Sequence, residues 1–152
     1  MSASCAALFL LLAQAPADWP QFGGPNRDSR VPAVASKFAW GEEGPEVLWR
    51  AELVGPGFSG AAVQGGEVFV LDNELGESEI VRCLDLATGA EKWSVAYEVK
   101  GRVQFPGPRA VPAVTADSVF TCGALGNIVC VDRASHEIRW ENHLVETYGG
   151  ED

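Results

Sequence analysis

The chain has 152 residues, 47% of them hydrophobic, with 11 Lys and Arg against 21 Asp and Glu and a formal net charge of −10. That length and apolar content suit one ordinary domain with its own core and exclude an intrinsically disordered chain. The basic residues are scattered and form no stripe that could follow a phosphate backbone, so no nucleic-acid partner is expected; the acidity serves solubility.

Residues 1–15, MSASCAALFLLLAQA, are uncharged and hold an apolar run from Ala6 to Ala13. The run is too short to span a bilayer. With the small residues Ala13 and Ala15 it reads as a secretory signal peptide cleaved near Ala15, although the usual basic start is missing. The mature chain is then expected outside the cytoplasm, in the periplasm or beyond, with no transmembrane span. Cys5 precedes the apolar run and is not read as a lipidation site. Residues 16–45 form an N-terminal leading segment. In the remainder, 46–152, Trp49 within PEVLWRAEL looks like a closing strand with no partner strands before it.

GPGFSG, at 55–60, satisfies G-x-G-x-x-G, but the chain from Ala61 onward reads as strand and Pro56 sits between the glycines, so it is not a dinucleotide fingerprint. Close packing at the start of a strand explains the glycines better. From Ala61 the segments are strand-rich: AAVQGGEVFVLD, then EIVRCLD, then EKWS. A second series, PAVTADSVFTCG, NIVCVD and IRWE, repeats it. VRCLDLATGAEKWS (81–94) aligns with IVCVDRASHEIRWE (128–141) at an offset of 47, matching Cys83 to Cys130, Asp85 to Asp132, Ala87 to Ala134 and Trp93 to Trp140. Further upstream the offset is 51, so the first copy carries four more residues between; its DNELGESE, 72–79, is read as a solvated acidic hairpin tip. Asp72, Glu74, Glu77 and Glu79 in that tip do not follow the order of an EF-hand loop.

Each unit thus predicts four short β segments, in blocks of about 58–95 and 109–142. In the last turn of the first, Asp85 is placed to accept backbone N–H groups and Gly89 to supply a positive φ; His136 replaces that glycine in the second. Four-stranded units at a period of 40 to 50 residues mark a β-propeller, with Trp49, Trp93 and Trp140 as one large aromatic per unit for packing between blades. The expected fold is therefore all-β, a partial propeller of two antiparallel blades plus a leading strand.

Cys122 and Cys130 flank a hairpin, where a disulfide needs a matching register; small buried hydrophobes are the favoured reading. Cys122, Cys130, His136 and His143 fit no common zinc spacing, and His143 with Glu146 offers no nucleophile beside a base. No catalytic residue and no metal ligand is assigned.

The pair LDLATGAEKW and VDRASHEIRW resembles the pyrroloquinoline-quinone-type repeat family, with its similar L-D-x-x-T-G-x-x-x-W pattern. DWPQFGGPNRDSRVP, 18–32, is similar to the segment after the signal peptide in exported bacterial members. The resemblance implies either a BamB-like propeller without quinone or catalysis, or a quinoprotein dehydrogenase. The second would bring pyrroloquinoline quinone on a vicinal disulfide and calcium beside an Asp base, yet no adjacent Cys pair occurs and no residue matches that base. A non-catalytic scaffold or binding module is expected, with a protein or small-molecule partner and no cofactor. Two units are fewer than the roughly four to eight blades that close a ring. The chain, ending in what reads as the lead into a third unit, is expected to be an N-terminal fragment, with self-association through open blade edges as the lesser alternative.

Overall fold

The computed structural model describes residues 18–31, 40–99, 101 and 104–149; the proposed signal peptide lies outside them. These residues form two four-stranded antiparallel sheets and one short helix. The first sheet has the order β1 (Ala62–Gln64), β2 (Glu67–Glu74), β3 (Ser78–Asp85), β4 (Glu91–Glu98). The second runs β5 (Ala113–Val114), β6 (Ser118–Cys122), β7 (Asn127–Asp132), β8 (Ile138–His143). In each sheet strand order follows chain order, because short turns let each strand pair with the one just made.

Alternation decides which side chains meet. In the first sheet Phe69, Cys83 and Trp93 stand in one row and Leu71, Val81 and Val95 in the next. This face packs on Val114, Val119, Val129 and Val131 of the second sheet, and the core lies between the two blades. Branched aliphatic side chains against aromatic and aliphatic ones fill such an interface well. Both blades carry a β-bulge at the same repeat position, between Cys83 and Leu84 and between Cys130 and Val131.

Several expectations need correction. DNELGESE is not a solvated tip: the four added residues lengthen β2 and β3 to eight residues each, and Asp72, Asn73 and Glu79 are buried. Only the few residues between the strands turn in solvent. The segment around Trp49 pairs with no strand among the described residues. Cys122 lies opposite Ile128 and Cys130 opposite Phe120, so the two thiols do not face each other and are free. Leu144–Tyr148, within the segment expected to lead into a third unit, forms a short helix, α1; His143 caps it, its Nδ1 accepting from the Glu146 N–H. No helix among the described residues is long and apolar enough to cross a membrane.

Candidate functional site

The repeat motif builds the joint between blades. Asp85 Oδ1 accepts from the N–H groups of Ala87 (3.1 Å) and Thr88 (2.9 Å) and from the Thr88 hydroxyl (2.8 Å). Asp132 Oδ1 accepts from Ala134 (2.7 Å) and Ser135 (2.8 Å) in the same way. The Thr88 bonds hold the Asp85 carboxyl below its usual range, and the Ser135 N–H followed by the Arg139 guanidinium does so for Asp132. These turns put Gly89 and His136 at φ 72° and 60°.

That turn residue is the surface on which the preceding indole lies. The Trp93 ring stacks on His136 of the second blade, centroids 4.9 Å apart and 20° between planes. Trp49 lies over Gly89 of the first, so close that a Cβ there would fall 2.5 Å from its ring, and its Nε1 donates to the Leu86 carbonyl at 2.9 Å. Trp49 therefore takes the place of a preceding blade's tryptophan, although its segment is not a paired strand. Trp140, third in the series, tilts against Phe120 and remains 46% exposed.

Arg133, which the repeat pattern does not single out, ties the blades together. It donates to the Thr115 carbonyl at 2.6 Å and to Glu67 at 2.7 Å, with its guanidinium 5.1 Å from the Phe69 ring centroid. A planar donor fork can bond and stack at once, which a lysine cannot. Lys92 also pairs with Glu67. At the opposite end of the joint Glu79, buried in β3, accepts from the Tyr97 hydroxyl (2.7 Å) and reaches across to the Ala124 N–H (3.1 Å). Burial, then the charge on Glu79, pushes the Tyr97 phenol well above its usual range.

The two ends of the blade pair differ. The outer face of the first blade is touched by residues 49–55: Asp72 accepts from the N–H groups of Val54 (2.9 Å) and Gly55 (3.1 Å), and Val68, Ile80 and Leu84 are buried. The outer face of the second blade carries Phe120, Cys130 and Trp140 in one row and Cys122, Ile128 and Asn142 in the next. Phe120, Cys130 and Trp140 hold the positions that Phe69, Cys83 and Trp93 hold in the first blade, where they form the joint.

The residues weighed for metal or nucleotide chemistry are not brought together. Cys130 is on the open face, His136 stacks on Trp93 and His143 caps α1. Burial, followed by the charge of Glu67, pushes the Cys83 thiol up to about 12, which makes it a poor nucleophile. In GPGFSG the glycines admit close neighbours: a Cβ on Gly60 would meet Val111 at 2.9 Å and one on Gly57 would meet Pro108 at 3.3 Å. A strand, β1, comes after it instead of a helix.

Blades of four antiparallel strands, stacked face to face with an indole of one on the turn of the next, define a β-propeller repeat protein. The family described as "Outer membrane protein assembly factor BamB" matches residues 76–151, half of the chain. The chain belongs to this family of pyrroloquinoline-quinone-like propeller repeats. Among solved structures it is similar to BamB from Moraxella catarrhalis, at 29% identity and a TM-score of 0.47, over 63% of this chain and 26% of that one. A europium-containing methanol dehydrogenase is similar at 21% identity and a TM-score of 0.42, over 55% of this chain and 15% of that one. The chain thus spans about a quarter or less of the length of these proteins. No curated protein matches it.

Proposed function

We propose that the chain is a non-catalytic scaffold of the bacterial cell envelope, exported by its N-terminal apolar segment, whose working surface is the open face of the second blade. The observation that carries this reading is positional. Phe120, Cys130 and Trp140 repeat the row with which the first blade binds the second, yet Trp140 is half exposed. A half-exposed face that repeats one already used to pack sheet on sheet is a docking surface for another sheet.

The residues present do not fit a quinone platform. Cys83 lies inside the blade joint, while Cys122 and Cys130 sit on the open face, and no two are adjacent. The pure chain supplied with pyrroloquinoline quinone and calcium is expected to reduce a redox dye no faster than buffer with an alcohol or sugar donor. Turnover proportional to protein concentration would overturn the non-catalytic reading.

A further inference from the structure

A cavity of about 370 Å³ opens where the β2–β3 turn, the β6–β7 turn and the crossover between the blades converge. It lies at the far end of the joint from Arg133 and is separate from the open face. Its volume falls within the roughly 300–1,000 Å³ typical of small-molecule sites, and like them it joins an apolar wall to a few polar groups. Leu75, Val99, Pro106 and Leu125 supply the wall; Asn73 and Glu79 line the polar end.

Glu79 gives the cavity its chemistry. The residue is only 4% exposed, and among the described residues no Lys or Arg pairs with it. A carboxylate offers about four acceptor positions. The Tyr97 hydroxyl and the Ala124 N–H fill two of them. Gly123 makes room for the group, since a Cβ there would fall 2.2 Å from Oε2. Burying a carboxylate with neutral donors alone is costly, and a positive ligand offsets that cost. Among the described residues that line the cavity, Glu74 adds a second carboxylate and none is Lys or Arg, a lining that favours a cation over an anion. A hard metal ion would need six or more oxygen ligands for calcium, or near-ideal octahedral geometry for magnesium. The apolar wall provides neither, and no group of three metal-ligating side chains is found among the described residues.

We propose that this cavity binds a small organic ammonium, its charged head hydrogen-bonded to the free positions of Glu79 and its apolar body against Leu75, Val99 and Leu125. Benzylammonium is the probe, with benzyl alcohol as its neutral isostere and phenylacetate as its anionic counterpart. Titrating the full chain at pH 7 and following backbone amide resonances, the amides of Ser78, Val99, Ala124 and Leu125 should shift saturably with benzylammonium. Benzyl alcohol should bind about tenfold more weakly, the step expected for losing a hydrogen bond between charged groups, and phenylacetate should leave the resonances in place. Glu79→Gln should weaken benzylammonium by a similar factor and leave benzyl alcohol unchanged. Leu75 is exposed in the β2–β3 turn and outside the hydrophobic core, and Leu75→Ala should weaken both the ammonium and the alcohol. Absence of saturable shifts, equal binding of the ammonium and the alcohol, or undiminished ammonium binding by both variants would each overturn the proposal.

Discussion

Cys83 and Cys122 show how position in a repeat sets chemistry. Cys83 is sealed in the joint with its thiol pushed up to about 12, Cys130 is buried in the central strand β7, and Cys122 is exposed near a strand end. Of these three, Cys122 alone should react with an aromatic disulfide reagent in the native chain; rapid release from all three would contradict this packing. Asp72 is a second case. Burial alone would raise its pKa, but the N–H groups of Val54, Gly55 and Asn73 and the Arg82 guanidinium outweigh it and hold the carboxyl below its usual range. Asp72→Ala strands those N–H donors and leaves Arg82 with Glu91 as its carboxylate partner, and should destabilise the chain by about 2–4 kcal/mol in urea unfolding. The sequence showed Asp85 and Asp132 as turn anchors because their partners lie two or three residues away. It did not show Asp72, Glu79 or Arg133, whose partners lie across a blade or in the other blade and leave no local spacing to read.

At the scale of elements, the four strands per unit were legible from alternation and from the second copy. The bulge, the lengthened β2–β3 hairpin and α1 were not. Polar composition at 72–79 resembles a loop, and only pairing reveals that Asp72 and Glu79 face inward. The shared Trp pattern hides a difference in energetics. Trp93 is sandwiched between Phe69 and His136, whereas Trp140 meets Phe120 and solvent. Trp93→Ala should cost about 2–4 kcal/mol and Trp140→Ala less than about 1 kcal/mol, measured by thermal or urea unfolding. Equal losses would mean that the two blades are not packed asymmetrically.

Across the whole molecule, carboxylates bonded to the fold set its acid sensitivity. Glu67 and Asp72 have folded values below their ordinary ones of 4.5 and 3.8, as do Asp85, Asp117 and Asp132. Depressed carboxylates contribute stability that is fully present above those ordinary values and is lost as pH falls through the lower, folded ones. The melting temperature should therefore hold from pH 7 to about 5 and fall steeply below about pH 4. A maximum at pH 3 would exclude this network as a stabiliser.

The blade pair also has unlike ends. Residues 49–55 occupy the outer side of the first blade, with Trp49 already over Gly89, so the second blade of another copy cannot settle there without displacing them. Head-to-tail growth is thereby disfavoured, and the docking role proposed for the open face predicts that two second blades meet face to face in a closed, two-fold pair. Sedimentation velocity over a range of protein concentration measures this directly, with Trp140→Lys placing a charge in the middle of the face. The native chain should pass from monomer to dimer without larger species, and the Trp140→Lys chain should stay monomeric. A native chain that remains monomeric throughout, or a Trp140→Lys chain that dimerises equally well, would contradict a docking role for the open face.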